Sequence, residues 1–225
     1  MAAKKKSVRG AAKKSPAKGA KSAKKASSAK RAKSASKNNG RAANGAKRPS
    51  GRSRDPAAIA LLKQDHRKVE ELFEEFEEAT SAADKRSIAR EICLELTVHT
   101  MIEEEIFYPA VKQAIEDDIY EEAHVEHDGA KVLIAEIMNG KPNDDFYDAR
   151  VKVLSEMIKH HVKEEEQADG MFAQARGSDL DWDEIGERME TRKDDLTRLM
   201  KRNGIPAPET RTFQGAELRY GEPVA

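Results

Sequence analysis

Cysteine is almost missing from this chain. The single Cys93 excludes an intramolecular disulfide, so the fold must hold without covalent staples and suits a reducing compartment. Long apolar runs are missing as well. No stretch approaches the roughly 18 residues needed to span a bilayer, and the start of the chain has no apolar segment of the secretory kind; membrane insertion and export are disfavoured, and the expected location is cytoplasmic. Nucleotide and nicotinamide sites lack their signatures: no GxGxxG follows a strand pattern, and GRAANGAKR at residues 40 to 48 has no Gly-Lys step. No Ser/His/Asp or Cys/His nucleophile set is visible, and Cys93 has no activating partner in the sequence.

Acidic residues are missing from residues 1 to 54, which hold 19 of the 41 Lys and Arg. The other 22 bases face 41 acids in residues 55 to 225, so a formal net charge of zero conceals a basic arm and an acidic body. The arm is nearly all Ala, Lys, Ser, Arg, Gly and Asn. It cannot bury enough apolar surface to offset its conformational entropy, and a disordered tail is expected. Its composition is similar to the tails of linker histones and bacterial histone-like proteins. Counterion release gives such a tail affinity for nucleic acid, and with no aromatic residue or reading motif that contact would be nonspecific, with nucleoid association as a consequence.

From Asp55 onward, apolar residues recur at three- and four-residue steps and no strand alternates. The fold expected is all-α: an antiparallel up-down four-helix bundle over residues 55 to 177, an additional amphipathic helix over 178 to 203, and an irregular tail over 204 to 225. Asp55 and Pro56 read as N-cap and first-turn proline of helix one. Helix two runs from about Ala83 to Tyr108, with Pro109 marking a kink or restart. Helix three covers about Ile119 to Met138, and helix four starts near Asp144.

All six histidines lie in the body. Four of them, His66, His99, His127 and His161, fall on the inward stripe of four different helices. A lone histidine on such a stripe is usually a core residue satisfied by a hydrogen bond. Four converging in one small interior would need four separate partners, which a shared metal supplies together. His99 and His161 each have a glutamate four residues on, Glu103 and Glu165, one helical turn away on the same face. Two carboxylates able to bridge, surrounded by imidazoles, suit a pair of first-row metals, with iron ranked before manganese and zinc. His160 has its own four-residue partner, Glu164, but lies about 100° around the helix from His161; the Leu154 and Ile158 stripe selects His161 as the inward one. His124 reads as a surface or supporting residue.

These stretches together resemble the hemerythrin-like proteins with the HHE cation-binding domain: DH at Asp65 and His66, HTMIEEEIFYP from His99 to Pro109, VEH from Val125 to His127, and HHVKEEE from His160 to Glu166. The resemblance covers about residues 56 to 176. It implies a four-helix bundle with a non-haem di-iron centre, its ligands His66, His99, Glu103, His127, His161 and Glu165, and the two glutamates bridging the irons. Hemerythrin proper takes two histidines from its third helix at HxxxH spacing; here Ala123 and Lys131 occupy the four-residue steps from His127. The function this favours is reversible binding or sensing of O₂, NO or iron, because histidine-dominated ligation offers an open iron position without a built-in proton donor. An enzyme acting on peroxide, NO or ferrous iron ranks second, with Tyr108 and Tyr120 as its candidate acid or redox groups. A nucleoid-associated protein acting through its basic tail ranks third.

Overall fold

A computed structural model describes residues 55 to 213 and Gly215. The expected basic tail, residues 1 to 54, lies outside the described residues, as does nearly all of 214 to 225. The described chain is all-helical: α1 (Ala57–Glu78), α2 (Ala82–Ile102), a π-helical turn (Glu103–Phe107), α3 (Tyr108–Val111), α4 (Asp117–Asn139), α5 (Tyr147–Glu166), α6 (Met171–Ala175) and α7 (Trp182–Asn203). No strand occurs among the described residues.

Helices α1, α2, α4 and α5 form the bundle, and α7 packs outside it against α1 and α2. The apolar stripe of each bundle helix is interrupted at one level, where a histidine stands. Leu62 and Val69 flank His66 on α1, Leu96 and Ile102 flank His99 on α2, and Ala123 and Ala130 flank His127 on α4; all are buried. Two apolar clusters result, with a polar layer between them. One holds Ile59, Leu62, Ile102, Phe107 and Phe172 together with Ile185 and Met189 of α7. The other holds Val69, Phe73, Ile92, Leu96, Ile134 and Leu154.

Helix ends follow local chemistry, with one departure from expectation. Ser81 caps α2 by accepting the Asp84 N–H at 3.0 Å, and Asp181 caps α7 by accepting the Glu184 N–H at 3.0 Å. At α1 the cap position is Pro56, and no side chain caps it. Asp55 instead spends its carboxylate on Lys63 at 3.1 Å and Arg176 at 2.5 Å. The charge that reads as a cap thus ties the start of the bundle to the end of α6.

Pro109 does not break the second helix. An α-helical ladder would ask for an N–H at Pro109, which has none, and its ring would press on the preceding turn. The chain accommodates this by inserting one residue as a π turn, where the Tyr108 N–H bonds to the Glu103 carbonyl. After α5, Gln167 to Gly170 reverse the chain into α6. At Gly170 an added Cβ would lie 2.1 Å from the Glu164 carbonyl oxygen, so this reversal requires glycine. It drives Met171, Phe172 and Ala175 into the core.

Candidate metal centre

The polar layer brings the six sequence-derived residues together. His66, His99, Glu103 and Glu165 each place a ligand-type atom within 4.8 Å of the others, and Glu103, His127 and His161 do the same. Glu103 belongs to both groups. All six are buried, Glu103 completely. His66 Nε2 stands 3.2 Å from His99 Nε2, and His127 Nε2 stands 3.3 Å from His161 Nε2. Glu103 Oε2 lies 3.2 Å from His99 Nε2 and 3.3 Å from His127 Nε2. Glu165 spans the same gap from α5, with Oε2 at 3.2 Å from His66 Nε2 and Oε1 at 3.6 Å from His161 Nε2.

Spacings of this size fit cations. Donors bound at 2.0–2.2 Å to one metal sit about 3 Å apart when adjacent in its shell. Without a cation the arrangement is costly: both oxygens of Glu103 and Oε2 of Glu165 are buried with no hydrogen-bond partner. Burial, then the charge of Glu165, push the Glu103 carboxyl well above its ordinary range. Burial works on Glu165 in the same direction, but His161, His66 and His99 outweigh it and hold that carboxyl below its ordinary value. The layer's imidazoles favour one ionised carboxylate, and ionising both calls for more positive charge.

The outward nitrogens explain how the rings are aimed. His66 Nδ1 donates to Glu166 at 2.8 Å, His127 Nδ1 faces Glu104 at 3.2 Å, and His161 Nδ1 faces Glu126 at 2.8 Å. His99 Nδ1 lies 3.5 Å from Asp65, an ion-pair distance. Three rings are thus hydrogen-bonded to an outer carboxylate and His99 faces one, so that each turns Nε2 toward the layer. Each of these carboxylates sits next in sequence to an inward residue but backs a ring on another helix. Asp65 of α1 serves α2, Glu104 of the π turn serves α4, Glu126 of α4 serves α5, and Glu166 of α5 serves α1. The result is a closed circuit around the bundle.

Outer cations steady three of the four. Lys193 of α7 pairs with Asp65, Lys131 with Glu104 at 2.8 Å, and Arg67 with Glu166 at 2.5 Å. Burial would raise the Asp65 carboxyl, but His99 and Lys193 hold it below its ordinary value. Lys131 and His127 likewise overcome burial at Glu104 and hold it at about 2. Behind Glu104 runs the segment after α7. Asp128, buried beside His127, accepts the Arg211 N–H at 2.7 Å, the Thr212 N–H at 2.6 Å and the Thr212 hydroxyl at 2.8 Å.

The sequence did not reveal Asp65, Glu104, Glu126 and Glu166 as supporting groups. Their available signal is adjacency, in the doublets DH, EE, EH and EE at the inward positions. Tyr108 is placed by the π turn. Five α-helical steps from Glu103 would leave it roughly 140° away, whereas the inserted residue reduces the effective step to four, roughly 40°. Its hydroxyl lies 3.2 Å from Glu165 Oε1 and 3.2 Å from His127 Nε2. Of the two tyrosines that the sequence offers as candidate acid or redox groups, Tyr108 is thus the one at the layer. Tyr120 lies farther out, in edge contact with His124 at 4.7 Å, and His124 joins no ligand group. His160 is exposed and pairs with Glu164 at 3.2 Å and Glu126 at 3.4 Å.

Comparison with known proteins agrees with this geometry. The family model described as the hemerythrin HHE cation-binding domain matches residues 57–174. A DNA nickase from Nostoc sp. (strain PCC 7120) is 28% identical over 118 residues, which is 52% of this chain and 33% of that protein. The chain thus matches about a third of the length of that curated relative. A crystal structure of a hemerythrin HHE cation-binding domain-containing protein from Mycobacterium kansasii aligns with a TM-score of 0.56 and 21% identity. That alignment covers 66% of this chain and 94% of the other, a likeness of fold.

Proposed function

The chain belongs to the hemerythrin HHE cation-binding domain family, and on that premise we propose that its polar layer holds two iron ions and binds a small diatomic ligand, O₂ or NO. The observation that carries the reading is the sharing of Glu103 between two groups of donors, with both of its oxygens buried and lacking a hydrogen-bond partner. On this reading Glu103 and Glu165 would join the two ions, His66 and His99 would complete one, and His127 and His161 the other. Iron would supply a redox-active centre able to bind a diatomic at an open position. The chain contributes aim through the four backing carboxylates and exclusion of water through the two apolar clusters. Elemental analysis of the native protein should give two irons per chain, with an oxygen-dependent absorption that reverses on deoxygenation. One metal per chain, or no oxygen response at full iron loading, would remove the reading.

A specific observation favours an enzyme as the second reading. The Tyr108 hydroxyl, aimed at the layer and held by Glu165, can deliver a proton inside a water-poor site, as reduction of peroxide or NO requires. Burial, then Glu103 and Glu165, push its phenol well above its ordinary value, so it stays protonated as a donor must. Turnover of peroxide that falls at least tenfold in Tyr108→Phe, with iron content unchanged, would rank this reading first.

The basic arm supports a nucleic-acid contact independent of either reading. Nineteen bases without one acid in residues 1 to 54 give a salt-dependent, sequence-indifferent affinity for DNA. Deleting residues 1 to 54 should abolish that binding and leave iron content unchanged; undiminished DNA binding would remove the idea.

A further inference from the structure

Two surface pockets reach the polar layer, and their charges are opposite in character. One, of about 240 Å³, ends at His66 and is lined by Arg67, Lys159 and Lys163 together with Glu70 and Glu166. The other, of about 170 Å³, ends at His161 and Glu165 and is lined by Glu122, Glu126 and Glu164 with no basic side chain. A cleft lined by one sign of charge concentrates counterions. The second pocket is therefore the path that favours a cation.

Two residues lining that second pocket, Glu122 and Glu164, also belong to a group of outer donors. Glu122, His160 and Glu164 each place a ligand-type atom within 4.8 Å of the others. His160 and Glu164 repeat, one residue earlier and on the outer face, the step that His161 and Glu165 make inside. Glu126 links the two levels, with Oε2 at 2.8 Å from His161 Nδ1 and Oε1 at 3.4 Å from His160 Nε2. The other three backing carboxylates have a lysine or arginine outside them; at Glu126 that position is taken by an imidazole, a residue able to bind a metal. At the inner end, Glu165 Oε2 is buried without a hydrogen-bond partner.

We propose that Glu122, His160 and Glu164 form a second, solvent-facing site for a divalent first-row cation, and that ions pass from it to the buried centre between α4 and α5. The passage rests on the reading that the layer holds cations; the surface site does not. Imidazole with two carboxylates suits Fe²⁺, Mn²⁺ or Zn²⁺, and its exposure makes it a weak, exchanging site, as a staging point must be.

The test uses the full chain and the triple variant Glu122→Gln, His160→Gln, Glu164→Gln. Stripped of metal and mixed with Fe²⁺, the variant should load about tenfold more slowly and reach the same final stoichiometry; an equal rate would overturn the passage. Titrated with Mn²⁺ and followed by the EPR signal of the free ion, the unsubstituted chain should bind one more ion than the variant, and an equal count would overturn the surface site. Glu187→Gln with Glu190→Gln, on the exposed face of α7, controls for loss of charge alone and should change neither result. If the triple variant folds poorly, His160→Gln alone serves, since its side chain is 57% exposed. Failure of the unsubstituted chain to load buried metal would overturn the buried centre, and the passage with it, while the Mn²⁺ difference would still decide the surface site.

Discussion

Glu103 shows what the centre costs when no cation balances it. It is fully buried, its two oxygens lack donors, and its carboxyl is pushed upward by burial and by Glu165. Glu103→Met should therefore lower metal content to one ion or fewer per chain and, in chelator-treated protein, raise stability by about 1–3 kcal/mol, read from urea unfolding. A loss of stability in the metal-free variant would mean that Glu103 is satisfied in some other way. Cys93 is the opposite case, an acid group the site does not use. Burial pushes its thiol from 9.0 up to about 12. A raised value means that its contribution to stability is complete below the unfolded thiol's pKa and is lost as pH climbs through the folded one. Stability should therefore fall by about 1.4 kcal/mol per pH unit between roughly 9 and 12 from this group, and Cys93→Ala should remove that part of the alkaline slope. Both residues were visible in the sequence. The inward position of Glu103 follows from its four-residue step to His99, whereas the proton balance depends on partners from other helices that periodicity does not show.

At the scale of elements, α7 is more than a cover for the bundle. It contributes Ile185 and Met189 to the core and sends Lys193 to Asp65, which backs His99. Lys193→Met keeps most of the packing and removes the charge. It should cost about 1–3 kcal/mol through the buried carboxylate left without a donor, and weaken metal binding 10–100-fold; a metal titration with unchanged affinity would reduce α7 to a packing role. The amphipathic stripe of α7 is plain in the sequence, but Lys193 reads there as one more solvated charge. The π turn was equally illegible. Pro109 signalled an interruption but not whether the chain kinks, restarts or inserts a residue, and Tyr108, just before it, reaches the polar layer only through the insertion.

For the whole molecule, metal and fold should be linked. Four helices meet around a layer that is expensive when bare, so a ligand that binds only the folded chain adds stability by mass action, about 4 kcal/mol at a free concentration a thousand times its dissociation constant. Chelation should lower the melting temperature by several degrees, restored by adding iron back; an unchanged transition would place the metal outside the folded core. The architecture was legible because each helix carries one histidine at the same level of an otherwise apolar stripe. The acidic doublets that orient those rings were not, because adjacency in the chain says nothing about which neighbouring helix a side chain will serve.

The circuit of carboxylates and rings also sets an order of events during synthesis. His66 is aimed by Glu166, one hundred positions later in the chain, so a ribosome must release almost the entire bundle before its first imidazole is fixed. Nascent chains stalled ahead of residue 166 should retain no metal when captured and analysed, while those stalled well beyond it should. Loading is then a terminal step of maturation, which protects a half-made protein from capturing a reactive ion prematurely.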